Sequence, residues 1–132
     1  MAGGEEQPSL RVELHRDVRA PALARAAVSD RLASLGVDGT LGQTIVLLVS
    51  EVVSNAVRHS SGPADSSIRL RVSFGEELVR VEVTDAGEGF TPRPRDPERV
   101  GDGYGLYLLE KSATSWGVEG GHSTTVWFEL AR

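Results

Sequence analysis

The sequence predicts an α+β layer structure, with helices packed on one face of a mixed, mostly antiparallel sheet. Three observations lead there. Residues 67–74 and 78–85 alternate apolar and polar side chains at period two, and Gly75-Glu76-Glu77 between them reads as a hairpin turn. Residues 40–60 carry apolar side chains at helical spacing, with Leu41, Ile45, Leu48, Val49, Val52, Ala56 and Val57 on one face. A second hairpin is written near the end, Trp116 to Glu119 and Thr124 to Leu130, with Gly120 and Gly121 at its turn.

The remaining elements follow in order. Residues 1–8 are expected to form a flexible leader ahead of a single domain spanning 9–132. Leu10, Val12 and Leu14 alternate with Arg11, Glu13 and His15 in a first strand. Arg19-Ala20-Pro21 opens a helix with proline in its first turn, and Gly36 stops it after Leu35. Ser61-Gly62-Pro63 ends the second helix. Residues 91–100, rich in proline and charge, read as an exposed loop, and a third helix is predicted over about 104–114.

Composition bounds the function. The chain has 132 residues, 39% hydrophobic and 25% charged, which fits one globular core. A net charge of −5 argues against direct nucleic-acid binding, which calls for a basic face. The absence of cysteine excludes a disulfide framework and thiolate metal sites. With His15, His59 and His122 as the only histidines, a zinc site is not expected either. The first residues lack a basic and apolar leader, and no unbroken apolar run approaches the ~18 residues of a membrane span. The expected location is cytoplasmic, without membrane contact.

Three polar features stand out against this background. Glu51, Asn55 and His59 lie at i, i+4 and i+8 on the second helix, one stripe drifting about 40° per step. A carboxylate can act as a base, and a carboxamide one turn away offers a neutral oxygen to a hard cation. The strand over 78–85 then ends in Asp85-Ala86-Gly87-Glu88-Gly89, where glycines let a ligand approach the backbone. Finally, Gly101-Asp102-Gly103-Tyr104-Gly105-Leu106 feeds the third helix. A glycine-rich loop at a helix start directs free N–H groups and the positive dipole end toward an anion.

Taken in order, Glu51-x3-Asn55-Ala56-x2-His59, Asp85-x-Gly87-x-Gly89 and Gly103-x-Gly105-Leu106 resemble the GHKL, or Bergerat-fold, ATP-binding superfamily. That superfamily includes gyrase, MutL and histidine kinases. Size and motif detail are most similar to the RsbW-like anti-sigma-factor serine/threonine-protein kinases, over about residues 10–130. The resemblance implies the histidine-kinase-like two-layer sandwich, with ATP and Mg²⁺ as cofactors. It implies Glu51 as catalytic base, Asn55 as Mg²⁺ ligand and Asp85 as the acceptor for the adenine amino group. Gly87 and Gly89 complete the adenine motif, and Gly103, Gly105 and Leu106 the phosphate loop. Residues 91–100 correspond to the family's ATP lid, from which Arg93, Arg95 and Arg99 are candidates to reach phosphate. Asp102 departs from the family's preference for glycine and is expected to point to solvent. Near the C-terminus Ser123 stands where the family usually has glycine, and Thr124 corresponds to the threonine near the nucleotide.

The activity implied is phosphorylation of a small anti-anti-sigma (STAS-type) protein by a kinase that also holds a sigma factor, with a homodimer as the implied assembly. A non-catalytic ATP-binding module working through protein contacts is the alternative. A gyrase- or MutL-like ATPase is disfavoured because the second domain whose lysine completes those sites is not in this sequence. His59 is not expected to be a phospho-acceptor, since it lies within the nucleotide domain's own helix.

Overall fold

The strands that alternate in sequence also alternate in burial. The computed structural model describes residues 8–59, 66–86 and 104–132. Its elements are β1 (Ser9–His15), α1 (Ala20–Ser34), α2 (Gly39–His59), β2 (Ser67–Phe74), β3 (Leu78–Asp85), α3 (Tyr104–Ser112), β4 (Ser115–Glu119) and β5 (Thr124–Ala131). The strands form one sheet in the order β1-β2-β3-β5-β4. Every pairing among the described residues is antiparallel, which sharpens the sequence expectation of a mostly antiparallel sheet.

Period-two patterning places one side of each strand in the core. Ile68, Leu70, Val72 and Phe74 of β2, Val79, Val81 and Val83 of β3, and Val126, Phe128 and Leu130 of β5 are buried. The register aligns them in rows, Val72 beside Val81 beside Phe128, and Leu70 beside Val83 beside Val126. Against this floor lie the helices. On α1, Ala20, Ala24, Val28 and Leu32 recur every fourth residue and are buried. On α2, Ile45, Leu48, Val49, Val52 and Ala56 are buried as the pattern predicts, while Leu41 and Val57 are only partly covered. Val53 is fully buried although the single-face reading leaves it out. The reason is that α2 packs against α1 as well as the sheet, so its apolar arc is wider than one face.

The stop predicted at Gly36 is a Schellman motif. Gly36 adopts φ 70°, its N–H donates to the Ala33 carbonyl, and the Val37 N–H donates to the Leu32 carbonyl. Buried Val37 then turns the chain into α2. By length and composition α2 is long and apolar enough to cross a membrane, over Gly39–Arg58. Its apolar side chains are spent on the core of this sandwich, however, where Ile45, Leu48, Val49 and Val53 have no exposure.

Candidate functional site

Burial separates the polar side chains of the inner face from all others. Among the described residues, three polar or charged side chains are buried: Asn55 at 6% exposure, Asp85 at 7% and Thr124 at 1%. Taking a carboxylate, a carboxamide and a hydroxyl out of water carries a free-energy cost that an apolar residue would avoid. All three are residues the sequence nominates for a ligand site. None occupies the solvated position that a polar stripe on a surface helix would give it.

The fold brings two of them together directly and places the third on the helix packed over the same sheet face. Asp85 is the last residue of β3, and Thr124, the first of β5, is its direct partner across the ladder. Both continue the inward-facing rows that end in Val83 and Val126. The neighbouring pair, Thr84 and Thr125, points to the opposite face, where their hydroxyls share a hydrogen bond of 2.8 Å. Asn55 stands one turn before the C-terminal end of α2, the element that precedes β2 in the chain. The start of β2 lies beside the end of β3, as the Arg69–Thr84 pairing shows. α2 as a whole packs on β3 and β2.

Glu51 lies one turn before Asn55 on α2 and is half-buried. Arg58, three residues after Asn55, donates from Nη2 to Asn55 Oδ1 at 2.9 Å. A guanidinium has no acceptor, so this contact fixes the carboxamide with its oxygen toward Arg58. The donor set thus suits a hard cation: a buried neutral oxygen already facing positive charge, with carboxylates near the same end. Among the described residues, no three His, Cys, Asp or Glu side chains cluster to hold a metal.

Gly105 and Leu106 fall in the first turn of α3, which opens at Tyr104 and contains no acidic residue. That turn itself therefore carries no carboxylate to compete with an anion for its N–H groups and the positive dipole end. Leu109, two turns on at most, anchors the helix in the core. His59 closes α2. Gly87, Gly89, Gly101, Asp102, Gly103 and the stretch 91–100 with Arg93, Arg95 and Arg99 lie outside the described residues. Ser123 is half-buried in the turn before β5. Two surface grooves lie elsewhere, one between α1 and α2 and one over Arg11, Glu13, Arg69 and Arg71 on the open sheet face. Arg58 is the residue that sequence reasoning overlooked, although its i, i+3 spacing from Asn55 makes the contact foreseeable.

Comparison with known proteins bears on the family and the fold. The family profile of the histidine kinase-like ATPase domain matches residues 14–130. The chain is similar to the crystal structure of the RsbU and RsbW domains of Rv1364c from Mycobacterium tuberculosis, with a TM-score of 0.71 and 24% identity. That match covers 95% of this chain and 33% of the other, so the chain spans about a third of that protein's length. It is also similar to the histidine kinase domain of the blue-light activated histidine kinase EL346 from Erythrobacter litoralis. There the TM-score is 0.55 at 24% identity, over 81% of this chain and 60% of that one. No curated protein matches the sequence.

Proposed function

The chain belongs to the histidine kinase-like ATPase domain family, and we propose from this that it is an ATP- and Mg²⁺-dependent serine/threonine-protein kinase of the anti-sigma-factor type, acting in the cytoplasm. The observation that carries the reading is the burial of Asn55, Asp85 and Thr124, each at the position where the family motif needs a polar contact. Similarity to a structure that contains an RsbW domain supports the partner-switching part of the reading. In such a system the protein holds a sigma factor and phosphorylates a small antagonist, and only the unmodified antagonist releases the sigma factor.

Each residue has a definable task. An ionised Asp85 only accepts hydrogen bonds, so it pairs with the adenine amino group and rejects guanine, which presents a carbonyl at the corresponding position. Thr124, directly across the ladder, supplies a hydroxyl at the same wall. The first turn of α3 offers N–H groups to phosphate. Asn55 would hold Mg²⁺, which when bound neutralises phosphate charge during transfer. Glu51 takes the proton from the antagonist's serine or threonine hydroxyl as that oxygen bonds to the γ-phosphorus and ADP leaves. Because phosphoryl transfer depends mainly on positioning and electrostatics, loss of the base slows transfer while binding persists.

Calorimetric titration with ATP and Mg²⁺, with GTP and Asp85→Asn alongside, tests the nucleotide site. Saturable binding of ATP but not GTP is expected, weakened at least about 10²-fold in Asp85→Asn, as for loss of a charged buried acceptor. No binding at millimolar ATP would refute it. Glu51→Gln should keep ATP affinity within about twofold and lower transfer by roughly 10²-fold or more. Unchanged transfer to an antagonist that the wild type phosphorylates would remove Glu51 from the mechanism.

A further inference from the structure

The hydrogen bond between Arg58 and Asn55 puts a positive charge on the same oxygen that the family reading gives to Mg²⁺. Arg58 Nη2 stands 2.9 Å from Asn55 Oδ1, and the two residues are three apart on α2, where side chains meet along the helix surface. Arg58 itself is exposed, whereas Asn55 is buried at 6%. The contact therefore joins a solvent-side cation to an inward-facing oxygen. We propose that Arg58 is a resident counter-cation for Asn55, which Mg²⁺ must displace, so that Arg58 sets the Mg²⁺ concentration at which the nucleotide complex closes its coordination.

Charge sets the two occupants against each other. Mg²⁺ bonds oxygen at about 2.0–2.1 Å and demands near-octahedral order. A guanidinium nitrogen on the other lone pair of that oxygen would lie within about 5 Å of the metal. Two positive centres so close disfavour each other, most strongly where water is excluded. The long side chain of Arg58 has solvent to swing into, so displacement needs no rearrangement of α2. Before the metal arrives, the same bond keeps the buried Asn55 oxygen satisfied. Arg58 is thus a positioning residue: it acts through Asn55 and raises the metal requirement while protecting the ligand oxygen.

The inference rests on the nucleotide-site reading above, and one experiment separates the two. Affinity for a non-hydrolysable ATP analogue is measured by calorimetry across a range of free Mg²⁺, which yields a metal midpoint independent of turnover. Arg58→Gln should lower that midpoint at least about threefold, while Arg58→Lys, which keeps the charge, should stay within about twofold of wild type. Equal thermal midpoints of the three proteins would show that the fold is not the cause. An unmoved or raised Mg²⁺ midpoint in Arg58→Gln, with normal analogue binding, overturns this inference alone. A raised midpoint would mean that Arg58 assists the metal–phosphate cluster. Failure of the wild type to bind the analogue at any Mg²⁺ concentration overturns the nucleotide site and this inference together.

Discussion

The two faces of the sheet handle polar groups in opposite ways. On the face covered by helices, β2, β3 and β5 present apolar side chains along their length, and among the described residues of these strands the buried polar side chains are Asp85, where β3 ends, and Thr124, where β5 begins. On the open face, charge is distributed and answered locally. Arg80 donates from Nε to Glu82 at 3.1 Å and from Nη1 to Glu129 at 2.9 Å, and Ser115 donates to Glu129 at 3.0 Å. The Arg80 guanidinium also stacks 4.4 Å from the centre of the Trp127 ring. The contrast is one of burial: the inner polar residues are taken out of water, which marks them as the candidate site, while the outer network stays partly exposed, as befits a solvated antiparallel surface.

The comparison breaks most forcefully at Phe128, whose side chain has no exposure and sits beside Val81 in the middle row of the inner face. Phe128→Ala should cost about 3–5 kcal/mol and lower Tm by on the order of 10–20 °C, measured by chemical and thermal denaturation. A loss below about 1 kcal/mol would mean that the inner face is not the core.

A smaller effect is expected where the open face is tightest. Gly117 of β4 pairs across the ladder with Trp127, and a Cβ at Gly117 would lie 2.8 Å from the indole Nε1 and 2.9 Å from two ring carbons. The ring therefore lies over bare backbone. Gly117→Ala should destabilise by about 1–3 kcal/mol through displacement of the ring. Trp127→Ala in the same chain should recover most of the clash, giving a favourable coupling in a double-mutant cycle. Additive losses would show that the ring does not lie against Gly117.

Most of the fold is legible in the sequence because its signals are local. The strand alternation around Val81, the glycine stop at Gly36 and the turn at Gly120-Gly121 each depend on neighbours in the chain, and each is observed. The placement of the candidate site residues is legible in part for the same reason: Glu51-x3-Asn55 is one helical turn, and Asp85 closes a strand. Burial of Asn55 and the pairing of Asp85 with Thr124 were beyond it, since both require knowing how α2 crosses the sheet and in what register β5 returns. Gly117 falls between these cases. A glycine inside a strand signals close approach by something, yet only the register identifies that something as Trp127.

The smallest effect sharpens the comparison by pH. The hydrogen bonds from Arg80 and then from Ser115, outweighing partial desolvation, hold the Glu129 carboxyl below its ordinary value of 4.5. Arg80 is pulled down by desolvation but is carried above its usual value by its bonds to Glu129 and Glu82. Because the folded pKa of Glu129 lies below the unfolded one, its contribution to stability is complete above about pH 4.5 and disappears as pH falls through the lower folded value. Arg80 stays protonated throughout, so Glu129 alone sets this window. Glu129→Gln should lower Tm at pH 7 by no more than about 3 °C, in keeping with a solvent-screened pair. It should also flatten the part of the acid limb below about pH 4.5 that Glu129 supplies. The inner-face site should not notice: nucleotide affinity at pH 7 is expected to be unchanged, because the network lies on the opposite side of the sheet. A change in nucleotide affinity would show that the two faces are coupled, and that the open face belongs to the machinery it was contrasted with.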